Sequence, residues 1–498
     1  MRRTGIAAAA LAAAAVAAAP AHGAVKITTT PGLFPPFSRH VSDYVIRCQP
    51  GKPVRVDVDA TGGDRVKVGG KHARGGRFER HATREPDAAL TIGVRRHGTT
   101  RDYHVRCLPK DFPAWQFESH GRAQAQWYLI APVGAHAYGY MALFDRRGVP
   151  VWWWHSTSWA PWDGKLLPDG RIAFARFFND HFGLRGSLDA YEVRRLDGAL
   201  VRLVRTPGQS TDTHDMQEMP NGDYLVDTYI RRDGADLSPR GGPKHATVYD
   251  CQIEEVTPAG KVVWRWNTKN HIPLSWTTGD DTSGWWAVNG HRDENGHRDT
   301  YDLVHVNSME PDGDGLIVSA RHTDSVFEID RATGKIEWKL GGTHVPGKSL
   351  KVLGAPRGFG GERLFSGQHD ARLWKDGSLT VFDNGSQGNR PPVADRFEID
   401  AAHHTARLVE RITNPEAKES VAMGSARKLD AGNWVVDWGG LPLVTEQTPG
   451  GRVVRRFWFS GWHFSYRAVG IEPGRLSAKS LRRGMDRMVA ARRTAEGR

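Results

Sequence analysis

The chain has 498 residues, of which 39% are hydrophobic and 25% charged, with 18 tryptophans, 56 glycines and three cysteines. This apolar content excludes a disordered chain, and so few cysteines exclude a disulfide-dense scaffold. Past the first 24 residues no apolar run approaches the ~20 that a spanning helix needs, which excludes a multi-span helical membrane protein. The formal net charge of +12 raises the question of a nucleic-acid partner.

The N-terminus reads as an address. Arg2 and Arg3 precede an alanine-rich apolar run from Gly5 to Ala19, and Ala21-His22-Gly23 supplies small residues at cleavage spacing. This is the layout of a Sec-type signal peptide over residues 1–24, so the mature protein is expected to be secreted, extracellular or periplasmic. Export implies an oxidising compartment. Cys48 and Cys107 then become informative, because they bracket alternating strands at 54–58, 65–68 and 89–94. Their contexts also match, Val45-Ile46-Arg47-Cys48 and His104-Val105-Arg106-Cys107. We expect a disulfide between them, within a small β-sandwich-like domain over residues 25–112. Closing that loop should stabilise the domain by ~4 kcal/mol in the chain-entropy model. Cys251, in the alternating run Tyr249 to Ile253, reads as a buried unreactive thiol.

From about residue 113 the chain repeats two hairpins. The first turns on Asp-Gly, Asn-Gly or a close relative, at Gly170, Gly222, Gly313, Gly377 and Gly432. Such residues tolerate the positive φ of tight hairpin turns. The second reads apolar-Glu-apolar, a polar turn, then a Val-x-Trp-like strand, as in Gln252 to Trp266 and Phe327 to Trp338. Five complete hairpin pairs, plus a split unit around Phe144 to Trp154, predict an all-β, six-bladed β-propeller over residues 113–470. A strand from the far end of the chain should complete the split blade. Stacked β-sandwiches are the competing architecture, but the pairs recur with one grammar. Helical periodicity occurs only after Pro473, so residues 471–498 read as a basic C-terminal tail.

Three histidines hold one position in this repeat. His214, His305 and His369 each lie eight residues before the turn glycine of their blades, and Ser425 follows the related Gly424. Equal offsets in radially equivalent blades direct three imidazoles at one axis. Taken singly, each histidine is as well explained by a hydrogen bond to a neighbouring blade; three at a fixed offset favour a site. They suit zinc ligation or general acid, base or nucleophilic work. Arg321, on the return strand of the His305 hairpin, shifts the balance from a metal to an oxyanion substrate. Asp370, adjacent to His369 on a strand, should face away from it. Trp153, Trp154, His155, Phe178 and His181 are candidates for aromatic walls at the channel mouth, although buried blade tryptophans explain them better. The loop His291 to Asp299 carries oxygen ligands at alternate positions but lacks a terminal bidentate glutamate, and reads as solvated.

The segments holding His214, His305 to Arg321, and His369 resemble the bacterial arylsulfate sulfotransferases, the arylsulfotransferase family, in the branch common in actinobacteria and fungi. The resemblance runs from about residue 40 to 470. It implies a six-bladed propeller with a small N-terminal β-domain, and a ping-pong transfer between phenols with no nucleotide donor, cofactor or metal. By this resemblance His369 is the nucleophile that forms a sulfohistidine. His214, His305 and Arg321 hold the sulfuryl oxygens and help to protonate the leaving phenolate, and Asn307 supports them or binds an oxygen. The chain is shorter than the enterobacterial enzymes, and insertions at 231–245 and 268–300 could reshape the mouth. Competing expectations are a non-catalytic adhesion or ligand-binding propeller, and a metal-dependent hydrolase using the histidines. The expected partners are an aryl sulfate donor and a phenolic acceptor.

The net charge then loses its force. Arg2 and Arg3 leave with the signal, and residues 475–498 carry eight basic side chains against Asp486 and Glu496. What remains is +4, an ordinary value that does not argue for nucleic acid. The tail could instead touch the cell envelope or another anionic surface.

Overall fold

A computed structural model describes residues 25–497, apart from 135–138, 157, 178–188, 241–242, 278–299, 357–363, 387–389 and 462. The proposed signal peptide, Phe178, His181 and the 291–299 loop lie outside the described residues. The chain divides into a unit ending at Leu108 and a second beginning at Pro109.

The first unit stacks two sheets. One orders Lys26–Thr30, Pro53–Ala60 and Gly76–Thr83; the other orders Asp43–Ile46, Thr99–Cys107, Ala89–Arg96 and Arg65–Val68. In Pro53–Ala60, Val54, Val56, Val58 and Ala60 are buried while the intervening side chains point outward, the period-two pattern of a sheet with one covered face. Val56, Ile92 and Val105 meet in one core drawn from both sheets. The Cys48–Cys107 disulfide is formed, with Cα atoms 5.3 Å apart.

The second unit contains six sheets, each built on four antiparallel strands, three of them extended by a fifth. Blades two to six each follow chain order, with innermost strands Ala160–Leu166, Thr211–Glu218, Val306–Asp312, His369–Leu373 and Ser425–Lys428. Blade one takes Trp127–Ile130, Gly139–Asp145 and Pro150–Ser156 from the start of the unit and its innermost strand, Ala468–Ile471, from the end. Each innermost strand packs on the next, and Ala468–Ile471 also packs on Ala160–Leu166, which closes the ring. A second closure comes from Trp115–Ser119, which adds to the outer edge of blade six. The predicted turn glycines all have positive φ. The molecule is therefore an all-β, six-bladed propeller preceded by a small β-domain.

The helical periodicity after Pro473 is a helix, Ala478–Ala495, capped by Ser477. Leu481, Met485 and Val489 are buried at helical spacing, and Met485 Sδ accepts the Trp153 amide at 3.3 Å. One face is thus docked on blade one, leaving Arg483, Arg487 and Arg493 exposed. Trp153, Trp154 and His155 lie on Pro150–Ser156, the outermost strand of blade one, and do not line the channel mouth. The split blade has no N-terminal innermost strand, so its first hairpin starts one strand further from the axis than in other blades.

Candidate active site

The innermost strands carry their polar residues inward at two levels. The deeper level is an ion cluster. Lys165 lies 2.6 Å from both Asp163 and Asp215. Arg372 lies 2.9 Å from Asp215 and from Asp370, and Arg427 2.8 Å from Asp370. Arg467, wholly buried, pairs with Asp163 and lies 3.1 Å from Asp370, and it also donates to the Asn307 carbonyl. Against the cost of burial, the Arg427, Arg372 and Arg467 charges hold the Asp370 carboxyl well below the carboxylate range. Asp370 therefore belongs to this cluster. Its backbone is left-handed (φ 54°) in a bulged strand, so simple alternation does not describe how it turns away from His369. A cavity of about 410 Å³ lies against the Lys165–Arg372 side of the cluster.

The second level holds the histidines. His214 and His305 rings are 4.6 Å apart, edge to face, and the His322 ring lies 4.5 Å beyond His305. His214 Nδ1 is 2.5 Å from Asp212 Oδ1, and His305 Nδ1 is 2.5 Å from Asp302 Oδ2. His369 is built differently. Its Nδ1 faces two oxygens, the Gly367 carbonyl at 2.9 Å and Asn384 Oδ1 at 2.7 Å, while its Nε2 accepts the Met423 amide at 3.2 Å. These partners assign the neutral tautomer with the proton on Nδ1. Burial first, and then the Arg321 charge, push the His369 imidazolium well below its ordinary pKa.

Arg321 reaches the same place because its amide bonds the His305 carbonyl at 2.9 Å, joining the ends of one hairpin. Its Nη1 meets His322 Nε2 at 2.8 Å and its Nη2 donates to the Val421 carbonyl at 2.9 Å. Asn307 is wholly buried and donates Nδ2 to the Gln368 carbonyl at 2.7 Å, so it anchors the segment that presents His369. The backbone is also strained here. His305 and Met423 are left-handed, with φ of 56° and 68°, at ~1–3 kcal/mol each.

His214, His305, His369 and Arg321 thus share one pocket-scale region. None of Asp212, Asp302, His322, Asn384, Met423 and Tyr466 is among the residues expected from the sequence. Tyr466 stacks on Trp162 at 4.8 Å and sits 5.8 Å from the His214 ring and 6.4 Å from the His369 ring.

Asp302, His305 and His322 form a group of ligand-type side chains among the described residues. Their hydrogen bonds fit a metal poorly. His322 Nδ1 faces the Asp302 carbonyl at 2.6 Å, and the guanidinium at its Nε2 opposes a cation. Neutral imidazoles around an arginine suit an oxyanion. The arrangement offers two carboxylate-backed imidazoles for proton transfer, one neutral imidazole for attack, and one guanidinium for negative charge.

No curated protein matches the chain. Among solved structures, a Bacteroides caccae protein of unknown function is 13% identical, with 69% of this chain and 98% of that one covered and a TM-score of 0.38. A catalytically inactive virginiamycin B lyase from Staphylococcus aureus is 10% identical over 71% and 89% of the two chains, at TM-score 0.34. The β-propeller domain of a Myceliophteria thermophila protein is 11% identical over 68% and 88%, at TM-score 0.33. A family model described as Arylsulfotransferase (ASST) matches residues 118–460, a span holding every residue of the histidine and arginine group, and the chain belongs to that family.

Proposed function

We propose that this protein moves a sulfuryl group from a phenolic sulfate ester to a phenolic acceptor through a sulfohistidine on His369. The observation that carries the reading is the hydrogen bonding of His369: its Nδ1 is occupied by the Gly367 carbonyl and Asn384, leaving the lone pair on Nε2, beside Arg321. Family membership supports aryl sulfotransfer in general.

The chemistry follows from the groups. Nε2 attacks sulfur, the N–S bond forms and the bond from sulfur to the aryl oxygen breaks. The leaving phenolate takes a proton from His214 in its imidazolium form, its Nδ1 backed by Asp212, while His305, kept neutral by burial with its proton on Nδ1 toward Asp302, has none to give. Charge builds on the sulfuryl oxygens, where Arg321 compensates it without reorganisation. The Met423 amide at Nε2 yields as sulfur approaches. A phenolic acceptor then attacks sulfur, the N–S bond breaks, and the acceptor's proton passes to the imidazole left basic by the first half. His369 returns to its neutral form.

We also read residues 1–24 as a signal peptide directing secretion. The Cys48–Cys107 bond, which persists in oxidising compartments, supports that reading. The function is tested by steady-state transfer from p-nitrophenyl sulfate to a second phenol. Parallel double-reciprocal plots, lost in His369→Ala, are expected; undiminished transfer by His369→Ala overturns it.

A further inference from the structure

The Tyr466 side chain is 1% exposed, and its hydroxyl has no hydrogen-bond partner among the described residues. Buried polar atoms are ordinarily bonded, and an exception calls for a cause. The ring is held firmly. Trp162 stacks on it, the Arg467 guanidinium lies 4.7 Å from its centroid, and its carbonyl accepts the Gly424 amide at 3.0 Å. The hydroxyl therefore cannot easily turn elsewhere for a partner. The His214 and His369 rings stand steeply to the Tyr466 ring, with centroids 5.8 and 6.4 Å away, and Tyr466 is among the groups that act electrostatically on Arg321. Burial raises the Tyr466 pKa well above the ordinary phenol value, so at neutral pH it keeps its proton.

We propose that Tyr466 is a catalytic residue, its hydroxyl donating a hydrogen bond to an oxygen of the sulfuryl group while that group passes between donor, His369 and acceptor. This rests on the sulfuryl-transfer reading above. The segment carrying Tyr466 comes from the chain end that closes the ring, so the site is completed only when the propeller is. A tetrahedral anion held by Arg321 and the imidazoles brings the oxygen that this hydroxyl lacks. The hydroxyl then acts as a fixed donor, strongest where charge accumulates in the transition state.

The test is Tyr466→Phe, which keeps the ring, its stacking and the backbone hydrogen bond. Removing one such donor is expected to lower kcat roughly 100-fold, with a smaller change in KM and a thermal midpoint equal to or above wild type. Wild-type kcat in the variant overturns the proposal. A loss of kcat with a matching fall in thermal midpoint also overturns it, since that is a structural role. A calorimetric titration with inorganic sulfate separates this proposal from the reaction on which it rests. If wild type fails to transfer yet binds sulfate, weaker binding by Tyr466→Phe supports the contact and equal binding overturns it. No binding by wild type overturns both.

Discussion

His322 accepts a hydrogen bond from Arg321: its Nε2 lies 2.8 Å from Arg321 Nη1, while its Nδ1 is committed to the Asp302 carbonyl at 2.6 Å. A histidine with a carbonyl at one nitrogen has its proton there and a lone pair at the other. Burial, with His305 and Arg321 adding to it, pushes the His322 imidazolium well below its ordinary pKa, so it stays an acceptor. His322 therefore aims the guanidinium without competing for the anion.

His322→Leu should leave Arg321 charged but poorly directed. A charge-assisted hydrogen bond contributes ~1.5–3 kcal/mol, so KM for an aryl sulfate should rise by about tenfold or more. His322→Gln, which retains an acceptor, should recover part of the loss. Steady-state kinetics on the two variants, with thermal midpoints as a folding control, measure this.

Acid should destabilise the protein through its buried imidazoles. His305, His322 and His369 all have folded pKa values below the ordinary 6.5, chiefly through burial. The unfolded chain then binds more protons below pH 6.5 than the folded one. Stability from these groups is present above that pH and is lost as pH falls through it. The difference in denaturant midpoint between wild type and His322→Leu should be level from pH 7 to 8 and change below ~6.5, where only wild type has that imidazole to protonate on unfolding. The acid limb of kcat/KM should likewise lie below 6.5, because His369 remains a neutral nucleophile there. In Arg321→Gln, activity should be low and the residual acid limb should move upward, since the Arg321 charge is one cause of the depression.

The disulfide joins residues 59 apart in sequence. Cys107→Ser should destabilise the N-terminal unit by ~4 kcal/mol. Unfolding of that unit with and without reductant should show the loss in wild type and not in the variant.

Arg467 is the centre of the buried ion cluster. Arg467→Met leaves Asp163 and Asp370 short of a cation and removes the donor to the Asn307 carbonyl. Breaking a buried pair on one side costs ~3–5 kcal/mol, read by urea denaturation of the full chain.

The parts of the site legible in the sequence are those set by local spacing. His214, His305 and His369 sit at one offset from a turn glycine, so the repeat itself fixes their common level. Arg321 was visible because one short hairpin returns it to His305. Tyr466 was not, because its neighbours His214 and His369 are hundreds or scores of residues distant and are met only through ring closure. Asn384 returns to His369 at the end of the second strand of its own hairpin, as Arg321 returns to His305, so the same hairpin spacing carries it; Met423 comes from the next blade. Trp153 and Trp154 read better as blade residues than as mouth residues, and the split blade, which begins at its second strand, places their hairpin outermost. The +4 left after removing the signal and the C-terminal segment is not evenly spread. Residues 25–108 carry sixteen basic and eight acidic side chains, and residues 109–474 forty-two and forty-six. The domain boundary exposes a basic β-domain ahead of a slightly acidic propeller.

The most direct test of the account is the mass of the intact protein after incubation with an aryl sulfate and no acceptor, with the adduct mapped by peptide fragmentation under alkaline conditions. The account predicts a gain of one sulfuryl group, located on His369 and discharged when a phenol is added. An adduct on another residue, or donor turnover by wild type with no adduct at His369, would contradict it.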